Sequence, residues 1–291
     1  MSLNFDYSRN MEIETVSRLS ALAHPQRLAL FRLLMRRFPD RVPAGELAQA
    51  LDLKSSTLSA YLATLVQSGL LTQERAGTSL LYAINMTGVQ QTFENLFLDC
   101  CRGRPELCPP LAFPSNSGTK PMPDTKYSVL FICTGNSARS ILAESVLRHE
   151  AGDLFEAYSA GTKPYSELNP FAVEVLKSKG HDTSPLRAKN VSEFQAPDAP
   201  QFDFVFTVCD RAANEDCPAW PGQPISAHWG MPDPVKIAGT EAEKSLAFQQ
   251  AYGELRRRIS AFAALPITSL DRVSLQRAVD GIANAESEVP A

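Results

Sequence analysis

The chain has 291 residues, of which 44% are hydrophobic, and it carries a formal net charge of -4. This length is sufficient for two domains of ordinary size, and the composition is that of a soluble globular protein. No apolar stretch approaches the roughly 20 residues that span a bilayer, and the N-terminal MSLNFDYSRN lacks the apolar core of a signal peptide. We therefore expect a cytoplasmic protein with no membrane partner.

Changes in composition along the chain predict its division into domains. A segment rich in proline, glycine and serine predicts a linker over 109–126, between a first domain at 1–108 and a second domain at 127–268. Residues 269–291 are expected to add one amphipathic helix and a tail. In a reducing compartment, the six cysteines are expected to be ligands or redox groups rather than structural disulfides. They form two groups of three, which are Cys100, Cys101 and Cys108, then Cys133, Cys209 and Cys217.

The first domain shows helical spacing of apolar residues followed by two short strands, LLTQER and LLYAIN. This order predicts an α+β winged helix-turn-helix, whose second helix can enter a DNA major groove. That helix, SSTLSAYLATLVQSGLL, is expected to be capped by Ser55, Ser56 and Thr57 and to bury Leu58, Leu62 and Leu65. A helical protein–protein module is the alternative, because the domain is not strongly basic. The predicted DNA contacts are Lys54, Ser55, Ser56, Thr57, Ser59, Tyr61 and Arg75.

The segments LSALAHPQRLALFRLL and STLSAYLATLVQSGLL resemble the ArsR family of dimeric winged-helix metalloregulators. The resemblance implies a repressor that binds double-stranded operator DNA as a homodimer through its N-terminal domain. The helix that carries a cysteine pair in the best known members has no thiol here, over 46–51. Three thiols with no nearby histidine, at Cys100, Cys101 and Cys108, suit a trigonal thiophilic ion. As(III) is therefore the expected regulatory ligand, with Sb(III) as the alternative.

In the second domain, the strands VLFIC, FEAYSA, DFVFTVC and PISAHW alternate with helices. This alternation predicts an α/β domain with a four-stranded parallel sheet, in which ligands bind at the carboxyl ends of the strands. Cys133 and Cys209 each end a strand, so we expect them to meet at one edge of the sheet.

The run VLFICTGNSARS places Cys133 and Arg139 at the two ends of a small polar loop between a strand and a helix. Backbone N–H groups, the positive end of the helix dipole and the Arg139 fork predict a site for a tetrahedral oxyanion. The same surroundings are expected to lower the pKa of the Cys133 thiol and make it a nucleophile. The predicted oxyanion-binding residues are Thr134, Gly135, Asn136, Ser137, Ala138, Arg139 and Ser140.

The motifs CTGNSARS, SAGTKP, FTVCDRAANEDCP and HWGMPDP resemble thioredoxin-coupled arsenate reductases of the low-molecular-weight tyrosine phosphatase fold. The resemblance implies that Asp233 is a general acid and that Cys133 attacks arsenate. Cys209 would then attack the Cys133 sulfur, and Cys217 would pass the disulfide to an external thioredoxin or glutaredoxin. No bound cofactor is expected for catalysis. The implied catalytic residues are Cys133, Arg139, Cys209, Cys217 and Asp233.

Together the two resemblances predict a bifunctional arsenic-resistance protein, an As(III)-responsive repressor fused to a reductase that converts arsenate to arsenite. One alternative is a low-molecular-weight protein tyrosine phosphatase fused to a DNA-binding module. The other is a regulator whose second domain binds an oxyanion without turnover. Cys209 and Cys217 favour the reductase, as does Val235, where phosphatases of this fold usually carry an aromatic residue. His181 and the arginines at 256–258 are expected at helix ends or on solvated surfaces.

Overall fold

The chain divides into two compact units, residues 1–117 and 118–291. Within the residues that are described, no helix is both long enough and apolar enough to cross a membrane. The computed structural model describes residues 3–96, 126–196, 198–215, 220 and 222–284.

The first unit combines helices with a small antiparallel sheet in the strand order β1-β3-β2. Strands β2 and β3 form the hairpin, whose turn contains Gly77 with φ of +60°, a left-handed conformation that favours glycine. β1 extends the sheet by pairing Val42 with Tyr82. The elements are α1 (Leu3–Leu22), α2 (Pro25–Arg36), β1 (Val42–Pro43), α3 (Ala44–Ala50), α4 (Ser55–Gln67), β2 (Leu71–Ala76), β3 (Ser79–Ile84) and α5 (Met86–Glu94).

Helix α4 buries one apolar stripe, because Leu58, Leu62 and Leu65 are each 2% exposed or less, as predicted. The expected serine and threonine caps are wrong. Lys54 is the N-cap of α4, and no side-chain hydrogen bond caps the helix. α4 is therefore stabilised by the packing of this stripe rather than by its first turn.

The second unit is built on four parallel strands in the order β5-β4-β6-β7, as the alternation of strands and helices predicted. Four consecutive residues of β4, 129–132, are at most 1% exposed. Successive side chains of a strand point to opposite faces, so both faces of β4 are covered. The elements are β4 (Tyr127–Cys133), α6 (Arg139–Ala151), β5 (Phe155–Gly161), α7 (Pro170–Ser178), β6 (Phe204–Thr207), α8 (Asp210–Asn214), β7 (Ile225–His228), α9 (Glu241–Ala263) and α10 (Arg272–Asn284).

A cluster of aromatic rings holds the last helices against the sheet. Trp229, which follows β7, stacks on Phe206 of β6 with ring centroids 4.1 Å apart, and its Nε1 donates to the carbonyl of Val279 in α10 at 3.3 Å. In α9, Phe262 contacts both rings edge-on. α10 is the predicted late helix. It covers the outer strand of the sheet, where Gln276 donates to the carbonyl of Ser226 at 2.8 Å.

Candidate functional site

The polar loop between β4 and α6 is shaped around the sulfur of Cys133. Cys133 is the last residue of β4, and Arg139 is the first residue of α6. The backbone N–H of Asn136 donates to the Cys133 Sγ at 3.1 Å, and the Ser140 Oγ lies 2.9 Å from the same sulfur. Asn136 adopts φ of +42°, a left-handed conformation that asparagine tolerates better than most residues. This conformation turns its N–H back toward the thiol.

Four carbonyl groups of the loop bond to one neighbouring segment, 162–169. The backbone N–H groups of residues 162, 163, 165 and 169 donate to the carbonyl oxygens of residues 133, 134, 135 and 137, at 2.9–3.1 Å. In a planar trans peptide, the N–H points away from the carbonyl, so the N–H groups of residues 134, 135, 136 and 138 face the opposite side. These donors therefore face away from segment 162–169, and the one from Asn136 reaches the Cys133 sulfur at 3.1 Å, an arrangement that suits a cradle for an oxyanion.

The ring of Tyr165 lies close to the backbone of Gly135. A Cβ on Gly135 would lie 2.5 Å from Cε2 of Tyr165, well inside van der Waals contact. Within the predicted oxyanion-binding set, Asn136, Ser137, Ala138 and Ser140 are buried and the others are half-buried. Most of the cradle is thus buried, and the Tyr165 ring, where it stands, leaves no room for a side chain at residue 135.

A buried hydrogen-bond network supports the loop from below. The amide Nδ2 of Asn136 donates to the hydroxyls of Ser140 at 2.8 Å and Ser159 at 2.9 Å, and its Oδ1 accepts from the backbone N–H of Lys189 at 2.7 Å. Ser159 donates to Glu144 at 2.5 Å, and the Lys189 ammonium lies 3.0 Å from the same carboxylate oxygen. Sequence reasoning missed the roles of Glu144, Ser159 and Lys189, although Ser159 opens the motif SAGTKP and Glu144 lies in the helix that follows the loop. Nothing in their spacing indicates that they bond to one another.

The pKa of the Cys133 thiol is raised, which is opposite to the expected direction. Burial is the largest cause, and the nearby Cys209 thiol adds to it. The hydrogen bonds from Ser140 and from the Asn136 N–H act in the other direction, but they do not outweigh the loss of hydration. The thiol is therefore the favoured form, and the donors of Ser140 and Asn136 stabilise the thiolate when it forms, so the loss of either should lower the reactivity of Cys133.

Arg139, at the end of the loop, bonds to the segment that contains Met231 and Asp233. Its Nη2 is 2.8 Å from the Oδ2 of Asp233, and its Nη1 donates to the carbonyl of Met231 at 3.1 Å. The Asp233 side chain also accepts from the N–H of Val235 at 3.2 Å. Asp233 and Arg139 are thus brought together on the same side of the sheet as Cys133.

Cys209 follows β6, the strand next to β4 in the sheet. Its sulfur lies 3.5 Å from the Thr134 hydroxyl and accepts from the N–H of Ala212 in α8 at 3.4 Å. Both Cys133 and Cys209 are reduced and buried, 4% and 1% exposed respectively. The parallel register that pairs Ile132 with Thr207 carries the two thiols to one edge of the sheet. Cys217 lies outside the described residues.

The predicted DNA-contact residues lie along the start of α4 and on the wing. Lys54, Ser55, Ser56, Ser59 and Arg75 are exposed. Thr57 and Tyr61 are half-buried, and the Tyr61 hydroxyl donates to the Gln26 side chain at 2.6 Å. The predicted metalloid ligands Cys100, Cys101 and Cys108 lie outside the described residues.

Two residues expected at helix ends or on solvated surfaces are buried. His181 does lie at a helix end, since its N–H donates to the carbonyl of Leu176 in α7 at 3.0 Å. Arg258 is 2% exposed, because it bonds backbone carbonyls that follow β7. His181 is 6% exposed and bonds Ser145 at 3.0 Å and the Tyr252 hydroxyl at 2.9 Å. Burial, together with the neighbouring His149, lowers the pKa of His181.

Sequence profiles of known families match both units. The profile of the low molecular weight phosphotyrosine protein phosphatases matches residues 128–275, and a helix-turn-helix domain profile matches residues 22–74. The chain belongs to the low molecular weight phosphotyrosine protein phosphatase family, and it carries a helix-turn-helix domain ahead of the phosphatase-like domain. The two-domain fold predicted from the sequence is therefore confirmed.

Within that family, the curated proteins that the chain resembles are named arsenate reductases. The arsenate reductase of Bacillus licheniformis is 39% identical over 140 residues, which cover 48% of this chain and 96% of the relative. The arsenate reductase of Bacillus subtilis is 38% identical over 135 residues, covering 46% and 94%. The crystal structure of an arsenate reductase from Archaeoglobus fulgidus aligns with 47% of this chain and 99% of its own, at 22% identity and a TM-score of 0.38.

Proposed function

We propose that the second domain reduces arsenate to arsenite with its own cysteine thiols. The observation that carries the proposal is the position of Cys133 and Cys209 at the carboxyl edge of adjacent parallel strands, with the Cys209 Sγ 3.5 Å from the hydroxyl of Thr134. Hydrolysis of a phosphate ester needs a nucleophile, a guanidinium and an acid, but it has no use for a second thiol. Reduction of As(V) requires two electrons, which two thiols supply as they form a disulfide.

In the proposed first step, arsenate binds in the cradle and Cys133 attacks arsenic. Arg139 exchanges its bonds to Asp233 and Met231 for a bidentate contact to the oxyanion. The Cys133 thiol loses its proton to solvent as the sulfur attacks, and the released Asp233 carboxylate takes up a proton and passes it to the departing hydroxide, which leaves as water. A sulfur–arsenic bond forms and an arsenic–oxygen bond breaks, so arsenic is still pentavalent at this stage.

In the second step, the Cys209 thiolate attacks the Cys133 sulfur. The electron pair of the sulfur–arsenic bond passes to arsenic, which leaves as arsenite, and a Cys133–Cys209 disulfide remains. Because both sulfurs are buried, an external reductant cannot reach this disulfide directly. Cys217 would attack Cys209 and form a Cys209–Cys217 disulfide, which a thioredoxin-like or glutaredoxin-like dithiol protein then reduces.

The reductase proposal is tested by following arsenite production from arsenate by the full chain, with thioredoxin, thioredoxin reductase and NADPH. We expect turnover by the wild type, no arsenite from Cys133→Ser or Cys209→Ser, and a single turnover from Cys217→Ser. Hydrolysis of an aryl phosphate without any arsenite production would instead support the phosphatase alternative. An oxyanion-binding chain that shows neither activity would support the purely regulatory alternative.

We further propose that the first domain is an As(III)-responsive repressor that binds operator DNA through α4 and the β2–β3 wing. The exposed residues Lys54, Ser55, Ser56 and Arg75 support this assignment, because they offer donors and positive charge to a DNA groove and backbone. Cys100, Cys101 and Cys108 are the proposed As(III) ligands. One domain would then produce the ligand that the other senses.

A homodimer of this domain would bury an apolar face of α1. Ile13, Val16 and Leu19 follow one another at helical spacing and are 61%, 66% and 40% exposed. We expect the full chain to sediment as a dimer and an Ile13→Glu, Val16→Glu variant to sediment as a monomer with weaker DNA binding.

The repressor proposal itself is tested by selecting bound sequences from random duplex DNA, then measuring their release by arsenite from the wild type and from Cys100→Ser.

A further inference from the structure

Arg258 carries its charge from α9 into the interior of the second domain, where the residue is 2% exposed. A buried guanidinium is costly unless it is paired with a charge and its N–H groups find acceptors. Its Nε lies 2.7 Å from the Oε1 of Glu254, one helical turn earlier. Its Nη1 donates to the carbonyl oxygens of Trp229 at 2.8 Å and Gly230 at 3.1 Å. The guanidinium is therefore directed at the backbone that leaves β7.

That backbone leads directly to the proposed acid, Asp233. Arg258 holds the carbonyls of residues 229 and 230, and Arg139 holds the next carbonyl, that of Met231, at 3.1 Å. Arg139 also pairs with the Asp233 carboxylate at 2.8 Å. Two arginines on different helices thus hold successive parts of one short segment.

The other side of the segment is closely packed as well. A Cβ added to Gly230 would lie 2.5 Å from the Nε2 of His228 and 2.6 Å from the Oδ1 of Asp210. The segment is therefore confined between Arg258 on one side and the start of α8 on the other. When Arg139 turns to the oxyanion, it gives up both of its bonds to this segment, whereas Arg258 can keep its own.

We propose that Arg258 is a positioning residue that keeps the backbone ahead of Asp233 in place while Arg139 is engaged with the substrate. The inference rests on the proposed function, because it assumes that Asp233 protonates the leaving oxygen. Without Arg258, the Asp233 carboxyl would lose its position relative to the oxyanion. A small misplacement of a catalytic group can lower a rate by about 100-fold.

The test measures kcat and KM for arsenate reduction by Arg258→Gln, alone and combined with Asp233→Asn. We expect Arg258→Gln to lower kcat by about 10- to 100-fold with little change in KM. Adding it to Asp233→Asn should lower kcat no further, because there is no acid left to position. Arg256→Gln is the matched control on the same helix and should retain wild-type kcat, since the Arg256 side chain is 61% exposed and pairs with Glu150 rather than with Glu254.

An equal loss of kcat in the Asp233→Asn background would overturn the inference, because Arg258 would then act through the fold or through Cys133. If Arg258→Gln does not fold, Arg258→Lys carries the test, since it keeps the charge but not the planar fork. A kcat between those of the wild type and Asp233→Asn supports the inference, and wild-type kcat overturns it. A fully active Asp233→Asn overturns this inference alone, whereas a wild-type chain that makes no arsenite overturns the proposed function as well.

Discussion

Removal of the Ser140 hydroxyl should make Cys133 a poorer nucleophile by raising the pKa of its thiol. The Ser140 Oγ lies 2.9 Å from the sulfur, and it accepts a hydrogen bond from the amide of Asn136 at 2.8 Å. Because the oxygen is the acceptor in that bond, the Ser140 hydroxyl can donate its own proton to the Cys133 thiolate. A hydrogen bond to a charged group contributes about 1.5–3 kcal/mol. Its loss raises the pKa of the Cys133 thiol, and every ~1.4 kcal/mol lost lowers the thiolate population about tenfold. The thiolate fraction at neutral pH, and with it kcat/KM, should fall by roughly 10- to 100-fold in Ser140→Ala.

The assay is the pH dependence of Cys133 alkylation by iodoacetamide, measured by mass spectrometry of the peptide that contains Cys133. The control is Ser145→Ala, which removes a buried hydroxyl from the same helix. Ser145 bonds His181 at 3.0 Å, so its loss should leave the alkylation profile of Cys133 unchanged. If Ser140→Ala and the wild type gave superimposable profiles, the proposed stabilisation of the thiolate by the hydroxyl would be refuted.

Further predictions concern the relay, the buried ion pair and the response to pH. Cys209→Ser should accumulate an arsenic adduct on Cys133, detectable by intact mass, whereas Cys217→Ser should release one equivalent of arsenite; equal adduct in both variants would contradict the relay. Glu144→Gln should lower the free energy of unfolding in urea by about 3–5 kcal/mol, because it leaves the buried Lys189 ammonium without its counter-charge; a change below about 1 kcal/mol would contradict this. Burial raises the pKa of Asp280 to about 6, above its unfolded value, so its stabilising contribution is complete in acid and is lost as the pH rises through about 6. Asp280→Asn should therefore be more stable than the wild type at pH 7 and lack this part of the pH dependence, and an unchanged profile would disprove the assignment.

The fold could be predicted from the sequence because the patterns that indicate its helices and strands each lie within a short stretch of chain. The buried run of β4, the alternation of strands and helices, and the spacing of Leu58, Leu62 and Leu65 each follow from a periodicity within a few residues. The caps of α4 were wrong, since tertiary packing placed the helix start without any side-chain cap.

The loop from Cys133 to Arg139 was visible as a candidate oxyanion site because all its parts lie within one short motif. The pKa of Cys133 was predicted in the wrong direction, because it depends on how deeply the thiol is buried and on the nearby Cys209. The supporting network was also missed. Ser159 and Lys189 reach the loop from β5 and from the segment after α7, and Glu144, in the helix that follows the loop, bonds to both of them.

By itself, the amino-acid sequence determined the two-domain fold and which side chains can react, since strand and helix periodicity and thiol chemistry belong to short stretches of chain. Only the tertiary structure decided which groups surround those side chains. The register of β4 with β6 brings Cys209 beside the Cys133 loop, and the return of α9 places Arg258 against the backbone that leads to Asp233. Burial and long-range hydrogen bonds set the reactivity of the site, and both arise only when distant segments pack together.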